Sequence, residues 1–213
     1  MLLAFDTATP AVTVALHDGT SVLAESTVVG GLRHAELLAP GIARVLAAAA
    51  LAPNDLTEIA VGVGPGPFTG LRVGIVTART MSAVLGIPVV GVCTLDAVAA
   101  AAEAEGDILD GGFLVATDAR RKEVYWARYS SPVKRLTDPA VDKPAAIATS
   151  MPVAGRGPVL YPDEFPHAIA PEHPSATNIA RLVAAGQCDL FEPEPLYLRR
   201  PDVAQPGPRK PVG

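Results

Sequence analysis

Asp6-Thr7-Ala8-Thr9 closes the first apolar run of the chain and sets one carboxylate beside two hydroxyls. An acid at the end of a buried strand can hold a metal ion, and the hydroxyls and amides of the turn after it can face a phosphate. Asp and Thr in a turn also bond their own backbone, and on this motif alone that is the simpler reading. The segment Gly64-Pro65-Gly66-Pro67-Phe68-Thr69-Gly70-Leu71-Arg72 is the most unusual in the chain. Its glycines permit close backbone approach. A helix starting near Thr69 would point free amides and the positive end of its dipole into the loop. Asp6, Thr7, Gly66, Thr69 and Gly70 are therefore the candidate anion-binding residues. The loop is neither a Walker loop nor a dinucleotide fingerprint, because no Gly-Lys-Ser/Thr follows and the glycine spacing differs. A rigid strand-to-helix corner, with Gly70 and Gly74 allowing close helix packing, is the slightly favoured alternative.

The remaining chemical inventory is thin. A ribonuclease-like nuclease needs several carboxylates converging on paired metals. Glu36 is one candidate, but the strand ending at Gly64 supplies glycine and proline where another acid is required. Asp118-Ala119-Arg120-Arg121-Lys122 forms a basic turn suited to a phosphate or an acidic surface, or simply to solvent. The four histidines, His17, His34, His167 and His173, include no pair at helical spacing. Cys93 and Cys188 lie far apart without a CxxC pair, which excludes a disulfide scaffold. No GxSxG elbow is present. No catalytic residue and no metal ligand set is assigned.

The elements that must position these residues follow from hydrophobic period. Residues 2–6 are a short apolar strand, residues 12–17 alternate, and Asp18-Gly19 signals a hairpin into residues 22–29. Leu37, Leu38, Ile42, Val45 and Leu46 recur at helical spacing within 33–50. Residues 58–63 read as a strand and 69–85 as a helix, with Leu71, Ile75, Val76, Ala78 and Val84 apolar and Gly86 as its stop. Residues 88–92 are a further buried strand, and Thr94 caps a helix through residue 102. The pattern then restarts with strands at 113–117 and 123–129, and the last clear helix spans 177–185. Three hairpin-linked strands followed by helix-separated strands predict a mixed five-stranded sheet rather than a doubly wound one. Such a lobe is ribonuclease-H-like, and by analogy two in tandem make the actin-like ATPase α/β fold, here with a reduced second lobe. The expected division is 1–106, 107–204 and a disordered tail at 205–213.

Composition sets outer limits. A chain of 213 residues can bury about 70 % of its surface without staples. The net charge of −5 excludes a whole-chain cationic footprint but leaves room for a local basic patch. Charged residues are only 18 %, which points to apolar surface that meets a partner or to an Ala- and Val-rich bias. With no leader and no apolar stretch long enough to span a bilayer, a cytoplasmic protein without a membrane partner is the expectation.

Ala4-Phe5-Asp6-Thr7-Ala8-Thr9, Arg33-His34-Ala35-Glu36-Leu37-Leu38, the Gly-Pro-Gly-Pro-Phe-Thr-Gly-Leu-Arg run, Asp118-Ala119-Arg120 with Glu123-Val124-Tyr125, and Tyr197-Leu198-Arg199 occur in this order. Together they resemble the bacterial TsaB (YeaZ) family. The resemblance implies a noncatalytic partner of TsaD in making threonylcarbamoyladenosine beside the tRNA anticodon, with TsaE as accessory ATPase. The paired metal-binding histidines of TsaD fall here near Thr94 and Val98, and its phosphate loop near Asp118-Ala119-Arg120. Pro67 departs from the small hydroxyl residue usual in the family. The resemblance further implies that helices 33–50 and 69–85 pair with the equivalent helices of TsaD, with His34, Leu37, Leu38, Leu71, Ile75 and Arg79 as contacts. It implies no intrinsic cofactor, with ATP or ADP a candidate at the partner interface and a homodimer for the isolated chain, and it leaves open whether tRNA is met indirectly or by this chain itself. The rival classes are an actin-like ATPase or small-molecule kinase, and a metallopeptidase of the M22 type.

Overall fold

The computed structural model describes residues 1–31, 33–102 and 111–199. β1 (Leu2–Asp6), β2 (Ala11–His17) and β3 (Val22–Val29) form an antiparallel meander. Asp18 makes the hairpin between β2 and β3. Its carboxylate accepts the amides of Thr20 and Ser21, both at 2.7 Å, and Gly19 takes a φ of +99°. β4 (Glu58–Gly62) lies parallel to β1, and β5 (Val89–Val92) parallel to β4. The sheet order is β3-β2-β1-β4-β5, the mixed arrangement that the sequence predicts.

β1 is buried on both faces, and its alternation decides what packs where. Leu3 and Phe5 point to one face with Val14, Leu16, Ile59 and Val61. There they meet Leu38, Ile42 and Val45 of α1 (His34–Ala48) and Leu71, Ile75 and Ala78 of α2 (Phe68–Leu85). The two helices pack side by side over the sheet. α2 ends where expected, with Gly86 left-handed at φ 68° and its amide bonded to the Ser82 carbonyl. Leu2, Ala4, Ala15 and Ala60 point to the opposite face. Their small size admits a helix from far along the chain, which packs through Ala176, Ile179 and Ala180.

α3 (Thr94–Ala99) leads to a second sheet of β6 (Phe113–Asp118), β7 (Val124–Ser131) and β8 (Lys134–Arg135), with β9 (Ala140–Asp142) also on β7. β10 (Val153–Ala154) pairs in parallel with β6, and β11 (Ala168–Ile169) with β10. A single turn, α4 (Gly157–Leu160), separates those last two strands, and α5 (Ala176–Ala185) closes the helical inventory of the described residues. α3 packs Leu95, Val98 and Ala99 against Phe113, Val115 and Tyr129.

Three expectations change. α3 ends at Ala99 rather than 102, and it begins after Cys93, so the Thr94 side chain points elsewhere. α5 belongs spatially to the first sheet, although it follows the second in sequence. Phe191 then bridges to Gly91, with amide-to-carbonyl distances of 2.7 and 2.9 Å, so the C-terminal segment also returns to the edge of the first sheet. The expected boundary at 106/107 and the tail at 205–213 lie outside the described residues.

Candidate functional site

The end of β1, the glycine-rich corner and the start of α3 converge. Asp6 is fully buried; its Oδ1 accepts the Ala8 amide at 2.7 Å, and its Oδ2 accepts the Thr94 hydroxyl at 2.6 Å. Thr94 Oγ1 in turn accepts the Gly64 amide at 3.1 Å. Burial raises the Asp6 pKa, opposed by the bonds from Thr94 and Ala8. The Thr7 hydroxyl donates to the Gly70 carbonyl at 2.8 Å and accepts the Gly74 amide at 3.0 Å. His34 is buried, and its Nε2 donates to the Thr9 carbonyl at 2.8 Å. A Cβ on Gly66 would collide with the Ala8 carbonyl, and one on Gly70 would lie 2.5 Å from the Thr7 carbonyl.

Asp6, Thr7, Gly66 and Gly70 are thus brought together, with Thr69 exposed on the first turn of α2. Thr7 bonds Gly70 and Gly74, and Asp6 bonds Ala8 and Thr94, so the glycine-rich segment turns a tight, hydrogen-bonded corner. Thr94 and Val98, the positions implied for a histidine pair, are both buried, Thr94 in bonds to Asp6 and Gly64 and Val98 in the second core. Among the described residues no group of three or more His, Cys, Asp and Glu is placed to hold a metal ion. Burial pushes the Cys93 thiol up to about 12 and the Cys188 thiol to about 11, so both stay protonated at neutral pH and are poor nucleophiles.

The candidate partner contacts divide by helical rotation. In the isolated chain His34, Leu38, Leu71 and Ile75 are buried, the three apolar side chains within the first core and His34 against the Thr9 carbonyl, and Ile75 also lines the groove described below. Leu37 is half-buried over Gly30, and Arg79 stands outside, 3.9 Å from Glu194. The outward face of α2 is instead Arg72, Val76, Thr80, Ala83 and Val84, with Val76 61 % and Val84 78 % exposed. Sequence reasoning assigned both valines to the helix's apolar set; the offsets 72, 76, 80 and 83 could have marked this second face.

This face forms one wall of an open groove of about 810 Å³, and Pro195 and Tyr197 form the other. Tyr197 stacks on Phe68 with centroids 4.5 Å apart, and Arg72 Nε donates to the Tyr197 hydroxyl at 2.8 Å. The Arg72 guanidinium lies over both rings, 5.6 and 5.9 Å from their centroids. The late Tyr197 motif is therefore part of the α2 surface.

A second polar cluster joins α3 to the second sheet. Arg135 Nη1 bonds both oxygens of Asp96 at 2.8 and 2.7 Å, and the Tyr129 hydroxyl donates to Asp96 Oδ1 at 2.7 Å. No helix among the described residues is long and apolar enough to cross a membrane.

Two mixed sheets, the first a meander followed by parallel strands behind two helices, define the actin-like ATPase class of α/β fold. The family model for TsaD, tRNA N6-adenosine threonylcarbamoyltransferase, matches residues 29–162. An uncharacterised protein of Mycobacterium tuberculosis is 46 % identical over 207 residues, covering 95 % of this chain and 93 % of that one. The tRNA threonylcarbamoyladenosine biosynthesis protein TsaB of Escherichia coli is 36 % identical over 128 residues, covering 60 % of this chain and 54 % of TsaB. The structure of YeaZ from Pseudomonas aeruginosa superposes with a TM-score of 0.75 at 28 % identity, covering 92 % of this chain and 99 % of YeaZ. The chain belongs to this threonylcarbamoyltransferase-related family, in its TsaB (YeaZ) branch.

Proposed function

We propose that this chain is a noncatalytic subunit in threonylcarbamoyladenosine formation, binding a TsaD-type transferase subunit and supporting transfer of the threonylcarbamoyl group to the tRNA adenosine beside the anticodon. One contrast carries the reading. The side chains best suited to chemistry, Asp6, Thr7 and His34, are buried and bonded to their own chain, while α2 holds Val76 and Val84 in the open. Exposed valines on a helix beside an aromatic-walled groove are the makings of an interface core. The α1–α2 surface is the binding face for the transferase subunit, and in the isolated chain the same face closes a homodimer. A TsaE-type ATPase joins through the complex, with ATP or ADP at the interface between subunits, and the cytoplasm is the place of assembly.

Reconstitution tests this. A TsaD-type subunit, the accessory proteins, threonylcarbamoyl donor and unmodified tRNA are combined with and without this chain. Modified adenosine that forms only when the chain is present supports the proposal. Full product without it, or turnover by the chain alone with nucleotide and magnesium, overturns it.

A further inference from the structure

Tyr197 reaches α2 on a segment of irregular backbone that is fastened from below. Residues 191–199 form no helix and no strand beyond the single bridge at Phe191. The backbone is nevertheless held at two points. Phe191 exchanges amide-to-carbonyl bonds of 2.7 and 2.9 Å with Gly91 of β5, and the Leu196 amide donates to the carbonyl of Val63, the residue after β4, at 2.8 Å. β5 is the outer strand of its sheet, so the segment covers an edge. The side chains of Phe191 and Leu196 pack against both the first and the second core. Past Tyr197, Leu198 packs on the second core and Arg199 pairs with the Glu123 carboxylate.

Gly91 is what lets the segment lie this close. A Cβ there would stand 2.8 Å from the Glu192 carbonyl oxygen, 3.1 Å from that of Phe191 and 2.5 Å from a Val63 methyl. A glycine inside a strand marks the close approach of another backbone, and here the approaching backbone is residues 191 and 192. The one residue without a side chain in the run Val89-Val90-Gly91-Val92 is thus the seat of a segment far along the chain.

From that seat the segment sets one ring on α2. Tyr197 is stacked on Phe68, its hydroxyl accepts Arg72 Nε, and it stays 38 % exposed. Pro195 and Tyr197 supply the wall of the groove opposite α2, so the groove exists only while the segment is seated. Glu194 reaches Arg79 of α2 at 3.9 Å on the exposed rim. An aromatic side chain held on two sides, aliphatic neighbours at Val76 and Val84, and a charged rim are the parts of a protein interface. Holding the ring in place beforehand removes an ordering cost that binding would otherwise bear.

We propose that residues 191–197 are a strap that completes the binding face for the TsaD-type subunit, with Tyr197 touching that subunit and Gly91 as the positioning residue that seats the strap. The proposal rests on the partner-binding reading above and extends its face from α1 and α2 to this later segment. Gly91 does not line the groove, so its substitution reaches the binding face through the strap.

The test compares the wild-type chain with Tyr197→Ala, Tyr197→Phe, Gly91→Ala and Gly91→Ala/Tyr197→Ala. Each is titrated calorimetrically with the TsaD-type subunit, and each free chain is digested briefly with chymotrypsin, with cleavage after Phe191 followed by mass spectrometry. Tyr197→Ala should bind about 30-fold more weakly, and Tyr197→Phe, which keeps the ring, within about 3-fold of wild type. Gly91→Ala should be cut at least about 10-fold faster after Phe191, because the strap spends more time unseated. It should also bind at least about 5-fold more weakly, and adding Tyr197→Ala to it should cost less than about 5-fold more, since an unseated ring has little left to lose. Wild-type affinity in Tyr197→Ala, a Tyr197→Phe variant as weak as Tyr197→Ala, unchanged cleavage of Gly91→Ala, or losses that multiply fully in the double variant each overturn the proposal. The two Tyr197 variants alter only an exposed ring and decide the contact even if Gly91→Ala disturbs β5. If the wild-type chain does not bind the TsaD-type subunit, the functional reading falls. If it binds and the Tyr197 variants bind equally well, only the present proposal falls.

Discussion

The Thr94 hydroxyl donates to Asp6 Oδ2 at 2.6 Å across 88 residues of sequence, fastening the end of β1 to the start of α3. The same oxygen accepts the Gly64 amide, so one small side chain joins three segments at the centre of the fold. Thr94→Val keeps the volume but strips a donor from Asp6 and an acceptor from Gly64. Leaving buried polar groups unpaired in this way costs ~1–3 kcal/mol each. Urea unfolding should show a loss of at least about 2 kcal/mol for Thr94→Val, while Thr94→Ser, which keeps the hydroxyl, should lose less than half as much. Equal losses in the two variants would show that the methyl, and not the hydrogen bonds, holds the junction.

Asp6 also gives stability a pH dependence of known sign. Burial raises its pKa above the ordinary 3.8, so between that value and the folded-state pKa the native protein holds a proton that the unfolded chain has lost. Stability contributed by this group is fully present below the ordinary value and falls as pH rises through the folded pKa. Asp6→Asn removes the titration but keeps an oxygen for the Ala8 amide. The unfolding free energy of Asp6→Asn relative to wild type should therefore shift in favour of the variant as pH is raised from about 4. Parallel pH profiles would mean that Asp6 titrates alike in both states.

These two residues also mark how far the sequence could be read. The strand and helix order of the first lobe was legible because its elements are long enough to display a period, and Gly86 and Asp18-Gly19 have local causes. Asp6 was legible as special, but its partner was not, since Thr94 looks like an ordinary helix cap and the bond depends on tertiary packing. Strands such as β8 and β10 have two residues each, too short for any periodicity. The return of α5 to the first sheet follows from the small side chains Ala4, Ala15 and Ala60, a signal hidden in an alanine-rich chain. On α2, Ile75 and Val76 are adjacent and equally apolar, yet a 100° rotation makes one core and the other surface.

Asp96 and Arg135 form the charged link between α3 and β8, with side chains 11 % and 14 % exposed. Their value is conditional: a buried pair is close to neutral against apolar replacements, but removing one partner strands the other. Arg135→Met should destabilise the protein by ~3–5 kcal/mol because it leaves the Asp96 carboxylate with the Tyr129 hydroxyl. Adding Asp96→Asn should restore at least half of that loss. Thermal or urea unfolding of the two single variants and the double variant provides the cycle, and additive losses would show that the charges act independently.

The last prediction exploits the one-residue contrast on α2. Val76 and Val84 are exposed, so Val76→Glu/Val84→Glu should leave the unfolding free energy within ~0.5 kcal/mol per site of wild type. Ile75→Glu, which drives a charge into the first core, should fail to fold. If the α2 face seats a TsaD-type subunit, each glutamate must be desolvated against it, and a penalty of ~2 kcal/mol corresponds to about 30-fold in affinity. Calorimetric titration of the soluble double variant with that subunit should thus show binding weakened by at least about 30-fold. Unchanged affinity would move the interface off α2 and leave the exposed valines without a partner-binding role.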